Sequence, residues 1–265
     1  MLLTELTGLT PSFFVVSAFI FGACIGSFLN VCVYRIPLEQ SVVSPGSHCF
    51  GCSTPLAWYD NIPLLSYLIL RGHCRVCDTQ FSSRYFFIET LTGLLAVLIM
   101  YRFGLSVAAL GLFVFSAALV VVTFIDLDHQ IIPDVISLPG VVAGVAFSFV
   151  NPYVSWSSSL IGVALGAGIL LTLALGYHAL TGREGMGGGD VKLLAMIGAF
   201  LGWQSVPFTL LFASFIGSAV GIGAMIRQHS DAKLALPFGP FLSFGALCYL
   251  FFGDPLINWY FGLLR

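Results

Sequence analysis

Charge is scarce in this sequence. Of its 265 residues only 8% are Asp, Glu, Lys or Arg, against about 25% in a soluble domain. Ten basic residues face twelve acidic ones, a net charge of −2. That balance offers no basic surface for a nucleic acid, so none is expected as a partner. Alternation of apolar and polar residues is also lacking, which argues against a membrane β-barrel. Nor does positive charge precede the first apolar run: before residue 12 the only charge is Glu5. A secretory signal would open with Lys or Arg and close on a small-residue cleavage site. The run over 12–34 therefore reads as a retained first span.

Hydrocarbon fills the chain instead, with 58% hydrophobic residues and a mean hydropathy of +1.00. Uncharged stretches near the ~20 residues needed to cross a bilayer recur from end to end. They predict an all-α polytopic membrane protein of about eight transmembrane helices, over 12–34, 85–101, 105–125, 135–151, 157–180, 191–204, 206–226 and 239–262. The fourth contains Pro139, a plausible kink. The sixth is short and follows a glycine cluster. Three parts are expected: a first helix over 1–34, a polar loop domain over 35–84, and a seven-helix domain over 85–265.

Basic residues set the orientation. With loop 35–84 in the cytoplasm, Arg35, Arg71, Arg75, Arg84, Arg183, Lys192, Arg227 and Lys233 lie on or beside that side, and only Arg102 and Arg265 lie outside. An even number of spans then puts both termini outside. The same rule places Asp126, ending the third span, and Asp190, opening the sixth, on one cytoplasmic face.

The polar loop carries "CFGC" (Cys49, Cys52) and "CRVC" (Cys74, Cys77), with 21 residues between the pairs. Two such knuckles about 20 residues apart suit a tetrahedral zinc site of soft thiolate donors. Disulfides are the alternative, and a reducing cytoplasm disfavours them. Four thiolates leave no open coordination position, so the zinc is expected to be structural, supplying folding free energy to a loop with little core. Cys24, Cys32 and Cys248 lie in apolar runs and read as small buried hydrophobes.

Two carboxylates remain. Asp126 follows the uncharged span 105–125, in "TFIDLDHQIIPD" (123–134). Asp190 ends the glycine cluster of "GREGMGGGD" (182–190) and opens the next apolar run. A solvated helix end explains Asp128, and N-capping explains part of Asp190, but capping does not call for Gly185, Gly187, Gly188 and Gly189 ahead of it. The cluster lacks the Gly-Lys-Ser/Thr ending of a nucleotide-binding loop. Ionisable groups at a span end are costly and usually functional. Paired at one depth, two aspartates suit aspartyl proteolysis, one protonated and one charged. The alternative is an ion-coupled transporter with Asp126 and Asp190 as carrier carboxylates. Their shared edge position and the lack of an inverted repeat count against it. A non-catalytic zinc-bearing scaffold is a further alternative.

"GSFLNVCVYRIP" (26–37), the paired knuckles, "NIPLLSYL" (61–68), "IDLDHQIIPD" (125–134), "GMGGGDVKLLAMIGAFLGWQ" (186–204) and "PFGPFL" (237–242) together resemble bacterial type IV prepilin leader peptidases. In order, these motifs span nearly the whole chain. The resemblance implies an inner-membrane enzyme, its active site facing the cytoplasm, that cuts the basic leader from prepilins and pseudopilins after a glycine. It implies Asp126 and Asp190 as the catalytic pair, and N-methylation of the new terminus with S-adenosylmethionine. It also points to Gly72 and Glu89 on the methyl-transfer side. The expected partners are thus prepilin and pseudopilin substrates and the lipid bilayer.

Overall fold

A computed structural model describes residues 11–182, 187–228 and 236–263. Glu5, Arg183, Glu184, Gly185, Lys233 and Arg265, which enter the charge and glycine patterns above, lie outside the described residues. Eight long helices stand where the eight apolar runs lie: α1 (Pro11–Arg35), α2 (Arg84–Phe103), α3 (Val107–His129), α4 (Asp134–Phe147), α5 (Trp156–Thr181), α6 (Gly188–Leu201), α7 (Ser205–Gln228) and α8 (Gly239–Leu263). Five of them, α1, α2, α3, α5 and α7, are long and apolar enough to cross a membrane, while α4 and the Gly239–Gly253 part of α8 are shorter apolar helices. Eight crossings therefore do not follow from length and composition, although eight helices do. Among the described residues there is no β-strand, only the isolated bridges His48–Pro55 and His73–Gln80. The chain divides into two compact units, Met1–Val121 and Val122–Arg265.

In the first unit α1 packs closely along α2. The approach is made by small residues. A Cβ on Gly22 would lie 2.6 Å from the carbonyl of Thr92, and one on Gly26 would lie 2.7 Å from Cα of Glu89. Lipid gives no hydrophobic drive for helices to associate, so close backbone contact through small residues supplies the dispersion that does. Asn30, buried, completes the seam by donating to the carbonyls of Gly26 (3.2 Å) and Tyr85 (3.3 Å). Between α1 and α2 lie a 3-10 turn, Trp58–Asn61, and a short helix, Leu65–Ile69.

In the second unit α6 is the central element. All residues from Leu193 to Leu201 are buried, among α4, α5, α7 and α8. A helix apolar all round is one buried all round. Its 14 residues reach roughly 21 Å at 1.5 Å each, short of a ~30 Å hydrocarbon core. Again small residues permit the contact: a Cβ on Gly166 would lie 2.5 Å from the carbonyl of Leu194, and one on Gly144 2.7 Å from Cβ of Ala199. The hydroxyl of Ser159 donates to the carbonyl of Ala199 (2.7 Å). By contrast Leu211, Phe215 and Ile226 of α7 are exposed, an apolar surface suited to lipid. α4 continues through Pro139.

Candidate active and metal sites

Asp126 lies in the last turns of α3, 5% exposed. The chain then turns sharply: the amide of Gln130 donates to the carbonyl of Asp126 (2.9 Å), and Gln130 takes a positive φ of 53°. This turn presents Ile132 between two helix starts. A Cβ on Gly189 would lie 2.8 Å from Cβ of Ile132, and one on Gly239 would lie 3.2 Å from its Cδ1. At Gly239, the first residue of α8, the backbone amide donates to Oδ2 of Asp126 (2.9 Å). Asp190 lies in the first turn of α6, next to Gly189, and within electrostatic reach of Asp126. The two aspartates are thus gathered around one isoleucine. Three helix starts (α4, α6 and α8) come together at the end of α3, and their unpaired amides favour carboxylates there.

The remaining polar residues of this site sort by contact. Lys192 donates to both carboxylate oxygens of Asp134, at 2.6 and 2.8 Å, pinning the start of α6 to the start of α4. Asp134 is therefore neutralised and adds little to an acidic mouth. Asp128 and His129 are exposed. Of the glycines before Asp190 that are described, Gly187 and Gly188 face open space and Gly189 alone is pressed. The motif glycines thus combine one close approach with room for a chain to lie beside Asp190.

In the first unit the four expected cysteines come together: their Sγ atoms all lie within 4.8 Å of one another, and Cys49 and Cys77 are 3.6 Å apart. Sulfurs around a tetrahedral zinc at ~2.3 Å would be roughly 3.8 Å apart, so the quartet fits that ion. The knuckles are built alike, "CFGCST" (49–54) and "CRVCDT" (74–79). In each, the amide two residues on, Gly51 or Val76, donates to the first sulfur at 3.4 Å. In each, the residue after the second cysteine is left-handed, Ser53 at φ 56° and Asp78 at φ 58°. In each, a threonine hydroxyl lies beside the second sulfur, Thr54 at 3.2 Å from Cys52 and Thr79 at 3.1 Å from Cys77. The Thr79 hydroxyl and then its amide hold the Cys77 thiol down at about 6, which favours the thiolate a metal needs.

Beside this cluster the same unit carries a partly open cavity of about 920 Å³, lined among others by Asn30, Tyr34, Arg35, Gly72, Tyr85 and Glu89. Glu89 is 7% exposed, and its Oε2 accepts from the amide of Leu64 (2.7 Å). That bond holds Leu64 at a positive φ of 63°, so "NIPLLSYL" is folded over the carboxylate. Gly72 has φ +74°, and a Cβ there would press on Cζ and the hydroxyl of Tyr67 at 3.0 Å. It shapes the cavity wall by yielding space. The amide of Gly239, the Ile132 wedge and buried Arg35 were not among the expected site residues. "PFGPFL" and "YRIP" were the only signals for two of them.

With the geometry in hand, comparison with known proteins is decisive. Residues 20–103 match the bacterial peptidase A24 N-terminal domain, and residues 113–222 match the type IV leader peptidase family. The chain is 37% identical to a prepilin leader peptidase/N-methyltransferase of Aeromonas hydrophila, covering 98% of both chains. It is 34% identical to one of Pseudomonas putida over 97% of this chain and 96% of that one. A Myxococcus xanthus relative of the same name is 43% identical over 83% of this chain and 65% of its own length. This chain belongs to the type IV leader peptidase family. No solved structure matches it.

Proposed function

We infer that this chain is a prepilin leader peptidase and N-methyltransferase of the bacterial inner membrane, with Asp126 and Asp190 as its proteolytic pair. The observation that carries the assignment of the pair is the convergence of the two aspartates around Ile132, with an amide of α8 on one of them. One carboxyl of such a pair is protonated and the other ionised. The ionised carboxylate takes a proton from a water molecule, and the water oxygen attacks the scissile carbonyl carbon. The protonated carboxyl donates to the carbonyl oxygen. With Oδ2 of Asp126 held by Gly239, its other oxygen serves the proton transfer. Nothing in the family matches supports an ion-coupled transporter.

All eight helices cross or enter the bilayer in this reading. Loop 35–84 and both aspartates face the cytoplasm, as the basic residues favour. The 1–34, 35–84 and 85–265 division follows sequence character and membrane exposure. Prepilins and pseudopilins bring a basic leader to an acidic site while their helix stays in lipid. Cys49, Cys52, Cys74 and Cys77 hold one structural zinc, which when bound closes the loop by joining its two knuckles. The cavity carrying Gly72 and Glu89 takes S-adenosylmethionine, the methyl donor. The test of the proteolytic assignment is a Asp126→Asn, Asp190→Asn double variant, purified and mixed with a prepilin. Leader cleavage should disappear while helical circular dichroism and thermal unfolding stay as in the parent. Cleavage by that variant would overturn the aspartyl reading.

A further inference from the structure

Two opposite charges are buried in the wall of the 920 Å³ cavity. Arg35 is 7% exposed, and its guanidinium donates to the carbonyls of Ser41 (3.0 Å) and Gly46 (3.4 Å). Glu89 is equally buried; it accepts from the Leu64 amide and is hydrogen-bonded by the Ser27 side chain. Neither has an ion-pair partner among the described residues. Burying a charge without a counter-charge is costly, and such charges persist where a ligand or a reaction uses them. The two stand at different levels of the cavity. Glu89 lies against Gly26, nine residues before Arg35, or about 14 Å along α1. The volume is near the top of the ~300–1,000 Å³ range for small-molecule sites, room for two reactants.

We propose that this cavity is a two-ended methyl-transfer site, in which Glu89 is the base that deprotonates the acceptor amine and Arg35 anchors the carboxylate of a zwitterionic sulfonium donor. The proposal rests on the methyltransferase reading above and assigns its chemistry. A newly exposed N-terminus arrives as an ammonium, which has no lone pair to offer. Its proton passes to Glu89. The freed nitrogen lone pair forms the N–C bond to the methyl group, the C–S bond breaks, and its electron pair stays on sulfur. The products are a secondary ammonium, formed directly by the methylation, and a neutral thioether; Glu89 keeps the proton and releases it to water before the next turnover. Apolar and aromatic walls, Phe28, Tyr34, Phe50 and Tyr85, exclude water from the transfer.

Glu89→Gln separates this role from a structural one. The glutamine oxygen can still accept from the Leu64 amide, so the fold over the cavity is kept and only proton acceptance is lost. The assay uses purified full-length, zinc-loaded protein in detergent. Its acceptor is a synthetic peptide beginning with Phe and a free α-amine, so proteolysis plays no part. Donor binding is measured by calorimetry, and transfer by product mass. In the Glu89→Gln protein, donor affinity should stay within about threefold of the parent. Its kcat should fall at least ~100-fold, the usual scale of general-base catalysis, with KM for the donor unchanged. A kcat within threefold of the parent would overturn the assignment of Glu89. So would loss of donor binding, which would place Glu89 on the donor instead. If the parent itself neither binds donor nor methylates the peptide, the methyltransferase reading of this cavity fails and the proposal fails with it.

Discussion

Gly239 offers a sharp test of the proteolytic site, because a methyl group there has only one place to go. A Cβ at this position would sit 2.7 Å from Oδ2 of Asp126 and 3.2 Å from Cδ1 of Ile132. An ordinary contact needs about 3.5 Å, so the carboxylate of Asp126 must retreat by roughly 0.8 Å or α8 must shift. The Gly239 amide survives in Gly239→Ala, so no hydrogen-bond donor is deleted. The loss is one of placement. A misplacement of about 1 Å costs on the order of 100-fold in rate, so kcat for leader cleavage should fall ~10- to 100-fold, or ~1.4 to 2.8 kcal/mol of barrier. KM for the prepilin should change little. The assay is single-substrate cleavage in detergent, followed by product mass. Gly223→Ala is the control: nothing lies within 4 Å of a Cβ there, and alanine is the better helix former. Unchanged cleavage by Gly239→Ala would refute the reasoning that α8 positions Asp126.

Asp126→Asn and Asp190→Asn should each lower cleavage at least ~1,000-fold, about 4 kcal/mol of barrier, whereas exposed Asp128→Asn should cost much less; initial rates on one prepilin decide it. Cleavage should follow a bell-shaped pH curve, since a coupled pair works in its singly protonated form, and a rate climbing steadily into alkali would point to a different nucleophile. Gly72→Ala, strained by φ +74° and pressed on Tyr67, should lose methyl transfer while still releasing leader, as the masses of the two products will show. Cys74→Ser should release zinc by elemental analysis and reduce methylation more than cleavage. The Thr79 hydroxyl lowers the Cys77 thiol and so favours the thiolate a metal needs; Thr79→Val should therefore weaken zinc binding, read as less metal retained after dialysis against a chelator.

Local signals were legible in the sequence and long-range backbone contacts were not. Hydropathy placed eight helices, because a span is a property of consecutive residues. It could not show that α6 is walled by protein instead of lipid, since a residue such as Leu194 is apolar in either setting. The four clustered cysteines were readable from the two-residue gap of each knuckle. The threonine two residues after each second cysteine was present in "CFGCST" and "CRVCDT" and gained meaning only when its hydroxyl was seen beside sulfur. Asp126 and Asp190 stood out as carboxylates at the ends of greasy runs. The amide that holds Asp126 comes from Gly239, 113 residues away, and a backbone donor leaves no side-chain signature.

Charge placement shows the same division more sharply. Arg35 was read by sign alone, as a cytoplasmic marker, and Asp134 only as the last residue of its motif. In the fold Arg35 is buried and turned onto loop carbonyls, and Asp134 is bound by Lys192. The positive-inside pattern concerns only the side of a bilayer on which Lys and Arg end, and says nothing of what a charge touches. What a charge does depends on what it touches, and that is fixed by the turn at Gln130 and by the folding of residues 36–83 against α1 and α2. The acidity of the cleavage mouth should therefore come from Asp126, Asp128 and Asp190, with Asp134 acting as a strut between α4 and α6.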